Sequence, residues 1–128
     1  MASPTNIAFA VAHDRARALH NFLVSHKDMP YDIKIGSVEI SYTSFDIKLP
    51  GSNNIIVSVM CSPLINNKSE SKSEFWLGLF SNGSYLTSTK FGYQDQTVDF
   101  YTGNDVFKEI IRLADITRYD DIFDVNFK

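Results

Sequence analysis

The pair Asn82-Gly83 stands between two apolar-rich runs, Phe75 to Phe80 and Tyr85 to Phe91. Asparagine and glycine tolerate the positive φ that both central positions of a two-residue hairpin turn demand, so an antiparallel strand pair is expected there. The same period of two extends through much of the chain. Tyr31, Ile33 and Ile35 alternate with polar residues, and after Gly36 so do Val38, Ile40 and Tyr42. Beyond Tyr42 the apolar set shifts parity to Phe45, Ile47 and Leu49, a change that a β-bulge near Thr43-Ser44 would produce. Residues 50–54 carry turn chemistry, Ile55 to Cys61 is apolar enough for a central strand, and residues 97–101 alternate as a last strand.

Both ends of the chain change period. Pro4 and a series of alanines predict a helix over about residues 4–26, with Ala8, Val11, Ala12, Leu19, Phe22 and Leu23 on one side and His13, Arg17, His20 and Asn21 on the other. Arg15 interrupts the apolar stripe. It leaves open a second reading in which Ile7, Phe9 and Val11 alternate along a strand and the helix starts after Asp14. Near the other end, Asn104 or Asp105 can cap a helix on which Val106, Phe107, Ile110, Ile111 and Ala114 share a face. Residues 115–128 form an acidic and aromatic segment expected to dock on the domain, and residues 62–73, rich in serine, read as an exposed loop. The expected fold is therefore one α+β domain over residues 1–128: an N-terminal helix, an antiparallel meander of five to six strands and a C-terminal helix packed on the sheet.

Charge and cysteine usage narrow the function classes. A net charge of −3 argues against general nucleic-acid binding, which depends on Lys and Arg neutralising phosphates. The single cysteine, Cys61, excludes an internal disulfide, and with no basic, apolar leader visible at the start a cytoplasmic location is expected. No apolar run approaches the roughly 18 residues of a membrane span, so a soluble protein without membrane contact is expected. The acceptor patterns Asn67-Lys68-Ser69 and Asn82-Gly83-Ser84 are read as chance matches.

The candidate chemistry is sparse. His13, His20 and His26 are spaced by seven and six, not by the four of a two-histidine helical site, so no metal and no cofactor are expected. Cys61 closes the most apolar strand and is read as core, not as a nucleophile, and no catalytic set is expected. Two groups remain. Asp115, Tyr119, Asp120, Asp121 and Asp124 interleave carboxylates with aromatics, a composition suited to gripping a basic protein partner. His13, Arg15, Arg17 and His20 could present imidazole and guanidinium groups to a nucleotide-like anion, as binder or hydrolase. The first group supports the leading expectation: a small, non-enzymatic binding protein of the inhibitor or immunity kind. The second supports the alternative. Oligomeric state is open.

Overall fold

The computed structural model describes residues 4–38, 43–51, 54–62, 74–86, 91–93, 97–100 and 102–119; of residues 4–8 and 119 only the backbone is described. Helix α1, Pro4–Val24, precedes β1, Lys34–Ile35, β2, Ser44–Lys48, β3, Ile55–Cys61, and β4, Phe75–Ser81. Then follow β5, Ser84–Tyr85, β6, Thr97–Phe100, and α2, Gly103–Tyr119. Two helices and an antiparallel sheet make the fold α+β.

Neighbouring strands pair in sequence order from β1 to β5, and every pairing is antiparallel. β6 leaves the meander. It pairs with residues 75–78 of β4, while β5 takes residues 80–81 on the same edge. The Asn82-Gly83 hairpin forms as expected, with φ of 54° and 84°. Its second strand is short: one further backbone bond, from Leu86 N–H to the Leu79 carbonyl, follows it.

One sheet face carries the core. Phe45, Ile47, Val57, Val59, Leu77 and Leu79 alternate inward and are each at most 3% exposed. Ala12, Ala16, Leu19 and Leu23 of α1 and Val106, Ile110, Leu113 and Ala114 of α2 close over them. Residues 7–12 are helical, which removes the strand-first reading. Alanine propensity and the spacing of Ala12, Ala16, Leu19 and Leu23 by three and four outweigh the alternation of Ile7, Phe9 and Val11.

Several boundaries differ from the sequence reading. Tyr31 lies in a turn and is 90% exposed, so the first strand is only Lys34–Ile35. Residues 39–42, where a second strand and the approach to a bulge were expected, lie outside the described residues, as do 63–73. The cap of α2 is Thr102: its Oγ1 accepts from the Asp105 N–H at 3.1 Å and its carbonyl from the Val106 N–H. Asp105, in the first turn, then favours the positive helix end. At the other end α2 continues through 115–119, where buried Thr117 bonds back to the Ala114 carbonyl and Arg118 pairs with Asp115.

Two polar clamps hold the loops against α2. Tyr93, 1% exposed, donates its hydroxyl to Glu109 at 2.7 Å, and Arg112 bridges Glu109 and the Phe91 carbonyl. Burial first, and the Glu109 carboxylate second, raise the Tyr93 phenol above its ordinary range. Arg118 donates to both carboxylate oxygens of Asp32, at 2.7 and 2.9 Å. The hydrogen bond from Arg118 is the largest influence on Asp32 and holds its carboxyl below the usual range.

The second clamp has a measurable pH signature. Because the folded pKa of Asp32 is depressed, its contribution is complete above the unfolded value of about 4 and is lost as pH falls through the lower folded value. Asp32→Asn should therefore destabilise the protein by about 1–2 kcal/mol at pH 7 and by progressively less below pH ~4. Urea unfolding at pH 7 and pH 3 checks this; a loss that is the same at both would disprove the clamp.

Candidate partner-binding surface

Both helices pack on the core face, and the opposite face of the sheet is built from the alternate residues. Register sets three rows across it. Ser44, Met60, Trp76 and Asp99 form the first, Asp46, Ser58, Gly78 and Thr97 the second, and Lys48, Ile56, Phe80 and Tyr85 the third. Two apolar ridges, Met60-Trp76 and Ile56-Phe80-Tyr85, thus flank a small and polar furrow. Ile56, Met60, Trp76 and Phe80 are half-buried, Tyr85 is 41% exposed, and none of the five packs against the core cluster. Phe80 and Tyr85 rest on each other with ring centroids 4.3 Å apart.

The furrow deepens between the second and third rows into a hollow of about 250 Å³, with Ile56 and Phe80 as walls, Asp46 and Ser58 along one side and the Asn82-Gly83 turn at the rim. Asp46 is exposed and has no ion-pair partner among the described residues. Gly78, beside Ser58 in the second row, is buried and does not line the hollow. Contiguous apolar area of this kind, with a polar margin, marks interaction surfaces.

The residues singled out in the sequence are dispersed. On α1, with 100° per residue, Arg15 lies on one flank of the buried stripe and His13 and His20 on the other. Arg15 is therefore set apart, while His13, Arg17 and His20 share the opposite side of the helix. His13 stacks on Phe9, His20 meets Phe45 edge-on, and Arg17 is exposed. His26 stacks on Phe107 at 3.7 Å and accepts the Asp28 N–H.

Arg15 donates to the Ser62 carbonyl at 2.7 Å and lies 3.7 Å from Glu74. Asp99 points to the other sheet face, away from Arg15. Arg15 snorkels from the edge of the apolar stripe and ties the end of β3 to the start of β4. Beside it, Phe22, Phe75 and Gly103 line a second hollow of about 260 Å³.

Of the acidic segment, Asp115 is exposed and bonded to Arg118, Tyr119 closes α2, and Asp120, Asp121 and Asp124 lie outside the described residues. Arg118 sits between Asp115 and Asp32, so this end of α2 is already partly neutralised from within.

Among the described residues no group of three His, Cys, Asp or Glu side chains could hold a metal ion, and no helix is long and apolar enough to cross a membrane. Cys61 is 4% exposed, and burial pushes its thiol up to about 12, although Arg15 nearby acts in the opposite direction. Thiolate is the reactive form, so native Cys61 should react with a maleimide at pH 7.4 at least ~100-fold more slowly than in urea. Rapid stoichiometric labelling of the folded protein, followed by mass spectrometry, would refute that placement.

No protein-family model matches the chain, and comparison with curated proteins and with solved structures finds no match either. The surface itself is the guide to function.

Proposed function

We propose that the chain is a small, non-enzymatic binding protein of the inhibitor or immunity kind, which neutralises a protein partner through an acidic and aromatic surface. The observation that supports this most is the outer sheet face. Five apolar or aromatic side chains, Ile56, Met60, Trp76, Phe80 and Tyr85, stand there in register, away from the core and beside the carboxylates of Asp46 and Asp99. Methionine and aromatic residues are enriched in protein interfaces, and carboxylates at the margin favour encounter with a basic partner.

The acidic end of α2 is the second surface that could serve this function. It belongs to the helical layer, whereas the ridges face away from that layer, so the two surfaces give different footprints. The test is affinity capture on the immobilised chain, followed by washes of rising salt. A stoichiometric protein partner whose binding weakens with salt is expected. If joint replacement of Asp120, Asp121 and Asp124 abolishes capture while Trp76→Ala leaves it intact, the tail and not the sheet is the grip. Failure to recover any stoichiometric protein would oppose the reading as a whole.

A second reading keeps a nucleotide-like anion as ligand, because Arg15 borders the hollow next to Gly103, the first residue of α2. It would use Arg15 alone of the four α1 residues. Thermal-shift measurement with nucleotides separates the two readings, since a bound ligand raises the melting temperature by mass action.

A further inference from the structure

We propose that the hollow on the outer sheet face is a seat for one arginine side chain of the partner. This rests on the partner-binding reading above and assigns the chemistry of its central contact.

The apolar walls and the polar side specify such an occupant together. Ile56 and Phe80 offer apolar flanks to an aliphatic stem. Asp46 supplies a carboxylate, and Ser58, directly opposite it in register, a hydroxyl; neither has a side-chain partner among the described residues. The charge that lines the hollow is therefore negative. An apolar occupant would leave Asp46 facing a desolvated contact without compensation, and an acidic one would be repelled.

Arginine suits these groups better than lysine. A guanidinium is planar, can lie against the Phe80 ring, and donates in a fixed fork to Asp46 and Ser58 at once, whereas an ammonium is a compact and strongly hydrated point charge. Lys48 stands on the same face two residues from Asp46, at the end of the third row, but does not line the hollow. It opposes a second cation nearby and so limits the seat to one.

The experiment is an amide NMR titration of the isotope-labelled chain with the tripeptide acetyl-Gly-Arg-Gly-amide. The same tripeptide with citrulline, which keeps the shape and removes the charge, is the control. Saturable shifts confined to Asp46, Ile56, Ser58, Phe80, Asn82 and Gly83 are expected, with the citrulline peptide binding roughly tenfold more weakly. Asp46→Asn should remove that preference, Lys48→Gln should strengthen arginine binding, and Asp14→Asn, at an exposed position of α1, should leave it unchanged. The spectrum itself reports whether each variant is folded.

Absence of localised shifts at tens of millimolar peptide would overturn the seat, as would equal affinity for arginine and citrulline. If a captured partner still depends on Trp76 in that case, the partner-binding reading survives without the seat. Arginine-specific shifts in the hollow support the seat even where protein capture fails, so the two failures are separable.

Discussion

Gly51→Ala is expected to destabilise the protein by about 2–5 kcal/mol. Two independent effects combine at this position. Its φ of +107° is one that side chains with a Cβ rarely adopt. In addition, a Cβ built there would collide with the backbone carbonyl of Thr117, so the β2–β3 turn is seated directly on the last turns of α2. A carbonyl inside a helix cannot swing aside as a flexible side chain would. Gly83 is the control, because it shares the positive φ, +84°, but its Cβ would meet open space. Gly83→Ala should cost about 1 kcal/mol. Urea denaturation of the two variants separates strain from collision; equal losses would mean that the turn does not rest on α2.

Trp76→Ala should reduce partner affinity by about 2–4 kcal/mol, or ~30- to 1000-fold, while lowering stability by no more than about 1 kcal/mol. The asymmetry follows from its place. Trp76 sits at the centre of the outer face, opposite Met60 on one side and Asp99 on the other, half-buried and apart from the core cluster. Leu77, next in sequence, points to the core and is 0% exposed. Leu77→Ala should show the reverse pattern, with about 2–5 kcal/mol of stability lost and the affinity of the folded fraction retained. Isothermal titration with the captured partner, alongside urea unfolding, measures both quantities. A Trp76 variant that binds as tightly as the parent would exclude the sheet face.

The fold was largely legible because local signals agreed with one another. The Asn82-Gly83 turn, the alternation of Phe45, Ile47 and Leu49, and the three- and four-residue spacing on both helices each specify an element without tertiary information. What the sequence hid depended on distant partners. Nothing local distinguishes Thr102 from Asn104 or Asp105 as the cap, and neither the pairing of β6 with β4 nor the contacts of Phe91 and Tyr93 with α2 have a local sequence signal. Arg15 looked anomalous because its partners, the Ser62 carbonyl and Glu74, come from the ends of β3 and β4.

The apolar outer face was missed for a simpler reason. Residues 55–61 and 75–80 are apolar at nearly every position, so they read as strands buried on both faces. The clue was the pair of interruptions, Ser58 and Gly78, each in the middle of its run. Register places them opposite each other, which turns two unremarkable small residues into one furrow. The acidic segment, by contrast, was conspicuous in composition, yet of its five candidates only Asp115 has a described side chain, and that carboxylate already holds Arg118.

Trp76 is the one tryptophan in the chain, which makes the central claim accessible to a single spectrum. Incorporating 5-fluorotryptophan gives one 19F resonance, whatever tryptophans the partner contains. On addition of a stoichiometric partner that resonance should shift or broaden and become protected from solvent, and the Phe80→Leu variant should reduce the effect at equal partner concentration. A partner that binds fully while the Trp76 resonance stays at its free position would show that the outer face of the sheet is not the binding surface.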